Sequence, residues 1–517
     1  MTLVPMNAIL RHNAAVFGPD AAGLIDGDEV VSWSQLEVAA NRRARLIQAQ
    51  GIGPGDLVTF NLPNGQEFFE TTFALWKLGA TPNPISPKLP ARELGAMLEA
   101  ANPTLFIGDC EGEGAPAGLR RFPRGVDTVG LSGQPLDEVV SERWKAITSG
   151  GSTGRPKVIV DRRRAVFDVD TPILGQPAGG VILNPGPLYH NAPFVFSHEA
   201  MGVGATVVNM DRFDAERALA LIGAYRVQWV NFVPTMMARI WRLPEDVRAR
   251  YDVSSLQTVF HMASAMPVWL KEAWIDWLGA ETIWELYGGT ERLGSTVIRG
   301  DDWLIHKGSV GRPVSGCQVQ VFNAGGQPCA PREIGEIFFL PREGAGQTYH
   351  YLGADSKRRS DGWESLGDIG WLDEDGFLYL ADRRSDLILR GGANIYPAEI
   401  ESALDEHPEV ASSIVVGLPD EDLGQRVHAI VQWRPGGAPD AAALQTFLLS
   451  RLSRYKVPES FEWTTEDLRD DAGKARRGAL REARLTLLLT AGRTSDPVVD
   501  LRAPAGARAD GRTEDAP

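Results

Sequence analysis

Cysteine is scarce in this chain. Cys110, Cys317 and Cys329 are its three examples, far apart and with no Cys-x-x-Cys pair. That excludes a disulfide framework and a cysteine-based zinc site, and it points to a reducing compartment. Long apolar runs are missing too: no stretch approaches the ~18 apolar residues that a membrane-spanning helix needs. The opening, Met1 to Arg11, has neither the basic start nor the apolar run of a secretion signal. A cytoplasmic protein is the expectation. Positive charge is in deficit, with 52 Lys and Arg against 67 Asp and Glu and a net charge of −15. Nucleic acid is therefore a poor partner, and a phosphate-bearing ligand requires a local basic cluster.

What the chain does have is length and alternation. At 517 residues it exceeds one ordinary domain, and 43% hydrophobic with 23% charged residues suits a soluble globular enzyme. Apolar spacing at Leu36, Ala40, Ala44 and Ile47 predicts a helix over 34–50, ended by the glycine-rich turn 51–56. A strand at 57–60, a helix at 67–79, a turn at 81–84, a helix at 92–101 and a strand at 104–107 follow. Further strands are expected at 180–184, 227–233, 256–262 and 282–286, with a helix at 268–278. Residues 111–137, rich in Gly, Pro and Arg, read as a loose connection. The alternation predicts an α/β fold with a largely parallel sheet. Toward the C-terminus, strands at 411–416 and 427–433 and a helix at 441–452 make a smaller α+β unit. From about residue 490 to 517 the composition loses periodicity, which predicts a disordered tail.

The segment 147–160 carries the first chemical signal. Thr148, Ser149, Ser152 and Thr153 supply hydroxyls, Gly150, Gly151 and Gly154 supply backbone freedom, and Arg155 and Lys157 supply charge, all between short apolar runs. Glycines let successive N–H groups point at one anion, so this composition makes a phosphate cradle. It is not a Walker A loop, because Lys157 is followed by Val158 rather than Ser or Thr. Farther on, Tyr287-Gly288-Gly289-Thr290-Glu291 offers an aromatic face, a hydroxyl and a carboxylate after a strand. Asp368 precedes a hairpin turn at Glu374-Asp375-Gly376, and Asp382-Arg383 follows it.

In order and spacing these motifs resemble those of the adenylate-forming superfamily: acyl-CoA synthetases, peptide-synthetase adenylation domains and firefly luciferase. The resemblance covers roughly residues 15–485 and favours the acyl-CoA synthetase branch. It implies a large N-terminal AMP-binding domain over 1–384 and a small mobile C-terminal domain over 385–489, with ATP, Mg²⁺ and CoA as cofactor and co-substrates. By the same resemblance, residues 148–154 and Lys157 bind phosphate, and Met262 to Pro267 form the adenine-side loop with Ser264 and Ala265. Tyr287 then packs on adenine beside Gly288, Thr290 touches the α-phosphate, and Glu291 ligates Mg²⁺. Asp368 holds the ribose with Arg383 behind it, Ser385 is the hinge, Gly392 lines the CoA channel, and Lys474 bridges the carboxylate and the α-phosphate.

His190, in Pro187-Leu188-Tyr189-His190, falls where the family lines its acyl pocket and is taken as a catalytic and pocket residue; alone, a His beside an aromatic is more often a satisfied core residue than a catalyst. Phe194, Phe232 and Met236 are expected to line the pocket, with Gly289 leaving it wide. Val195 stands where amino-acid-activating relatives place an Asp, and an apolar side chain cannot compensate a buried ammonium. The expected substrate is a hydrophobic, bulky carboxylic acid. A separate carrier protein as acceptor, or a non-catalytic acyl-nucleotide-binding role, stay open as alternatives.

Overall fold

Strands and helices alternate into an α/β protein in the computed structural model, which describes residues 2–109, 116–150, 156–383, 386–390, 393–420, 423–434, 439–471, 473–490 and 498–499. Two compact units emerge: Met1–Arg384 with Asp471–Lys474, and Ser385–Asp470 with Ala475–Pro517. No helix among the described residues is long and apolar enough to cross a membrane.

The first unit is organised on parallel strands. Ala22–Asp26, Thr206–Asn209, Val181–Asn184, Trp229–Phe232, Thr258–His261 and Ile283–Gly288 lie side by side, each parallel to the next. Neighbouring residues such as Ile182 and Leu183, or Val259 and Phe260, are both buried, as a sheet covered on two faces requires. Beyond Ile283–Gly288 the pairing turns antiparallel through Ser295–Arg299, Ser309–Pro313, Leu378–Arg383 and Asp368–Leu372. Among the described residues this sheet reaches 13 strands. It brings the Tyr287 and Asp368 segments, 81 residues apart in sequence, into one surface.

Among the described residues this unit has three further sheets, one of them the two-stranded pairing of Leu3–Pro5 with Val166–Asp168; the other two bear on the site. One is antiparallel, with Pro156–Asp161 between Ala146–Gly150 and Tyr349–Leu352. The other is parallel, with Thr81–Pro84 at its edge beside Leu57–Phe60. The expected turn at 81–84 is thus a buried strand. An edge position explains how it tolerates two prolines, whose missing N–H groups leave no ladder bond unmade on the outer side. The first long helix runs Trp33–Gln48 rather than 34–50, because Ser32 and Gln35 cap each other reciprocally: Ser32 Oγ accepts from the Gln35 N–H at 3.2 Å and Gln35 Oε1 accepts from the Ser32 N–H at 2.8 Å.

In the second unit Val410–Asp420 and Gly424–Trp433 form a hairpin, and Ser460–Thr464 adds in parallel. The helix Arg477–Thr490 reaches the start of the expected tail, and Val498–Val499 pairs beside Phe461 and Glu462. Apart from Thr490 and Val498–Val499, the stretch 490–517 expected as a disordered tail lies outside the described residues. Glu462 is buried between His428, whose Nε2 lies 3.5 Å away, and Arg484, whose Nε donates at 2.9 Å. Burial alone would raise its carboxyl pKa, but the hydrogen bonds from His428 and Arg484 outweigh it and hold the group at about 2. A depressed carboxylate stabilises the fold fully above its ordinary pKa and loses that contribution as pH falls toward 2. Peptide-resolved hydrogen exchange over 460–464 is therefore expected to show lower protection in Glu462→Gln than in wild type at neutral pH, the gap closing as pH falls from 4.5 toward 2. A gap independent of pH would contradict this.

Candidate active site

Lys157 is the second residue of the strand Pro156–Asp161 and pairs with Ser149 across the ladder. Thr148, Ser149 and Gly150 lie on the partner strand, while Gly151, Ser152, Thr153 and Gly154 lie outside the described residues. Thr148 is supported from behind. Asn83 Nδ2 donates to Thr148 Oγ1 at 3.1 Å and to the Ala146 carbonyl at 3.0 Å, and the Thr59 hydroxyl donates to Asn83 Oδ1 at 2.7 Å. Sequence reading missed Asn83, because an Asn between two prolines reads equally as a turn.

The turn that follows Ile283–Gly288 carries Glu291 to Lys157, with Nζ 3.2 Å from Oε1. Tyr351 joins them. Its hydroxyl donates to Glu291 Oε1 at 2.7 Å and accepts from Lys157 Nζ at 2.9 Å, while the ammonium lies 4.0 Å from the ring centroid. Burial, and then the Glu291 carboxylate, push the Tyr351 hydroxyl far above its ordinary pKa, so it remains a donor. Tyr351 lies 194 residues from Lys157, and no local motif announces it. Thr290 is half-buried in the same turn, which closes where the Arg292 N–H meets the Gly289 carbonyl at 3.0 Å.

Gly289 also gives room to its neighbours. A Cβ there would fall 2.8 Å from Leu366 Cδ1 and 2.9 Å from Glu291 Oε2, so glycine leaves the carboxylate its room. At Gly288 a Cβ would meet Ser295 Oγ on the adjacent strand at 2.8 Å. A buried carboxylate with space at one oxygen fits a magnesium ion that enters on nucleotide phosphates, since such an ion uses one or two carboxylates and keeps waters.

In the same sheet the Tyr287 hydroxyl donates to Asp368 Oδ2 at 2.7 Å. Asp368 opens its strand in register with Arg383. The loop from Met262 to Pro267 joins Thr258–His261 to the helix Val268–Leu278, with Ser264 half-buried and Ala265 exposed. Ala263 holds a left-handed backbone there, at φ 76°.

The expected acyl-pocket residues need correction. Phe194 is 0% exposed and its ring packs on Phe68, Trp76, Trp144 and His198, the last at 4.3 Å. Phe194 and His198, four apart on the helix Asn191–Gly202, share its inward face. Phe232 is likewise 0% exposed, against Phe213 and Trp274, and Met236 is buried in the same core. Their surfaces are already taken up by core packing. His190 instead occupies the N-cap position of that helix, half-buried, with its ring tilted against Tyr189 at 4.6 Å. Lys474 is exposed and belongs with the first unit, whereas Ser385 and Gly392 lie outside the described residues.

A buried ion cluster backs the site. Asp161 accepts from the Arg163 N–H at 2.9 Å and from Arg163 Nη2 at 3.1 Å, and it faces Lys145 Nζ at 3.7 Å. Burial would raise its carboxyl pKa, but Arg163 and Lys145 bring it down to about 2. Burial draws Lys145 down to about 8 and pushes the nearby Glu199 up to about 7.

Residues 10–344 match the AMP-binding enzyme family, and residues 399–474 match the AMP-binding enzyme C-terminal domain. The chain belongs to the AMP-binding enzyme family. It is 31% identical over 487 residues to a 2-succinylbenzoate–CoA ligase from Geobacillus kaustophilus, covering 90% of this chain and 96% of that protein. It is 28% identical over 493 residues to ScoC, a fatty acid–[acyl-carrier-protein] ligase from Streptomyces coeruleorubidus, covering 90% and 93%. The structure of the O-succinylbenzoate coenzyme A synthetase MenE from Bacillus subtilis, in complex with ATP and a magnesium ion, superposes with a TM-score of 0.78 at 26% identity, covering 93% of this chain and all of that one. As a member of this family the chain is an AMP-forming acid–thiol ligase of the acyl-CoA synthetase kind.

A hydrogen bond to a charged group contributes about 1.5–3 kcal/mol. Tyr351→Phe is therefore expected to lower kcat/KM for adenylation by ~10-fold or more. Acid-dependent pyrophosphate release measures it; an unchanged rate would remove Tyr351 from the site.

Proposed function

We propose that this AMP-binding enzyme activates a hydrophobic carboxylic acid, aryl or fatty, and transfers its acyl group to free CoA. The observation that carries the reading is the meeting of Lys157 and Glu291 at 3.2 Å, a cation and a carboxylate from motifs 134 residues apart. Such a pair is what a metal–polyphosphate ligand needs on its two sides.

A carboxylate is a poor electrophile, so the reaction runs in two displacements. In the first, a carboxylate oxygen attacks the α-phosphorus of ATP, a new P–O bond forms, and the bond to pyrophosphate breaks. Lys157 and the backbone N–H groups of its hairpin hold the phosphates, and Thr290 donates to the α-phosphate. Lys474 screens the negative charge shared by the attacking carboxylate and the phosphate. Tyr287 packs on adenine, and Asp368 accepts from the ribose hydroxyls. When held by Glu291, magnesium supplies further neutralisation of the phosphate oxygens. In the second displacement the CoA thiolate attacks the acyl carbonyl; the C–S bond forms and AMP leaves with the C–O electron pair. Ser385 serves as hinge and Gly392 as the close-approach residue of the CoA channel in this reading.

The acid faces the start of the helix Asn191–Gly202, where His190 and Tyr189 offer adjoining aromatic rings and Ala192 is small. The relatives named above act on an aryl acid and a fatty acid, which supports a hydrophobic class. ScoC also supports a second reading, in which a carrier-protein thiol replaces CoA.

Incubation with ATP, Mg²⁺ and a panel of acids, with and without CoA, separates these readings by mass spectrometry. Acyl-CoA with AMP is expected; acyl-AMP accumulating despite CoA would favour the carrier protein. Lys474→Ala is expected to slow acyl-AMP formation by about 100-fold while leaving thioester formation from supplied acyl-AMP intact. An unchanged adenylation rate would remove Lys474 from its role.

A further inference from the structure

The strand Pro156–Asp161 presents Lys157, Ile159 and Asp161 on one face, because side chains alternate along a strand. That face meets the turn of the magnesium-ligand motif residue by residue. Lys157 contacts Glu291, and Ile159 shares an apolar cluster with Leu293. Asp161 Oδ1 lies 3.7 Å from Arg292 Nε. The two ion pairs run in opposite senses: cation on the strand at one end, anion on the strand at the other.

The pairs differ in what a ligand does to them. Lys157 and Glu291 are both claimed when nucleotide and metal arrive, the one by phosphate and the other by the cation. Asp161 is not so exposed, with its side chain only 1% accessible and enclosed by Arg163 and Lys145. Arg292 is also tied on its outer side, where Nη2 meets Glu343 Oε1 at 3.0 Å. Its backbone is left-handed, φ 57°, a conformation that a non-glycine residue keeps only where surrounding contacts over-determine it.

We propose that the Asp161–Arg292 pair is the permanent anchor of this turn, and that Arg292 is a positioning residue that holds Glu291 at the metal when Lys157 turns to phosphate. The inference rests on the reading of the site as one for Mg·ATP. Groups that orient a metal ligand without touching the metal govern metal affinity by about 10- to 100-fold.

The test is calorimetric binding of ATP to the full-length protein in Mg²⁺ and in EDTA, for wild type, Arg292→Met and Arg292→Lys. Asp161 keeps Arg163 and Lys145 in both variants, so no buried carboxylate is left uncompensated. Metal-free ATP affinity should stay unchanged, whereas the gain in affinity conferred by Mg²⁺ should fall about tenfold in Arg292→Met and largely return in Arg292→Lys. Hydrogen exchange over 289–293 in protein without nucleotide should quicken in Arg292→Met and not in Arg292→Lys. An equal loss of affinity in Mg²⁺ and EDTA, or no loss in either, overturns the anchor. A wild type that gains nothing from Mg²⁺ overturns the reading of the site, and the anchor with it.

Discussion

In a protein of net charge −15, binding a nucleotide's phosphates depends on keeping a few cations where they are needed. Lys157 is kept there by Glu291 and Tyr351, at 3.2 and 2.9 Å. The rest of the first unit is arranged so that this meeting occurs. The three-stranded sheet supplies Lys157 and Tyr351 on neighbouring strands, and the large sheet delivers Glu291 just past the end of Ile283–Gly288. Where the parallel part of that sheet gives way to the antiparallel part, Tyr287 and Asp368 come within a hydrogen bond.

Buried charge behind the site makes the arrangement stiff at some energetic risk. Asp161, Lys145 and Glu199 are taken out of water together beside a partly exposed Arg163, which costs several kcal/mol per buried ion in general and is recovered only through close, complementary pairing. Asp161 meets that condition through Arg163, which donates from its backbone and its guanidinium. The cluster also reaches the helix Asn191–Gly202 through Arg163 and Glu199, 3.6 Å apart. The phosphate strand and the helix that starts at His190 are thus fastened to one set of charges.

Much of this was legible in the sequence, for identifiable reasons. The parallel strands announce themselves as short apolar runs, since both faces are buried, and the order of the motifs carries the family. Contacts across long separations are not legible: nothing near Tyr351 announces that it bonds Glu291, and nothing near Asp161 announces Arg292. Apolar residues near a site are ambiguous in kind. Phe194 and Phe232 have the chemistry of a pocket wall and of a core, and helix and strand geometry sent both inward. At Gly289 the missing Cβ also serves a close approach of Leu366 and Glu291, which the sequence does not announce. Thr81–Pro84 reads as a turn by composition, and only its edge position lets it be a strand.

The measurement that bears most directly on this chemistry is the fate of the carboxylate oxygen. An acid that the enzyme turns over, labelled with ¹⁸O in its carboxyl group, is supplied with ATP, Mg²⁺ and CoA, and the products are resolved by mass. Attack on the α-phosphorus leaves one labelled oxygen in AMP once the thioester has formed, and that is the expected result. Unlabelled AMP, or label recovered in inorganic phosphate alongside ADP, would contradict an acyl-adenylate formed between Lys157, Glu291 and Asp368.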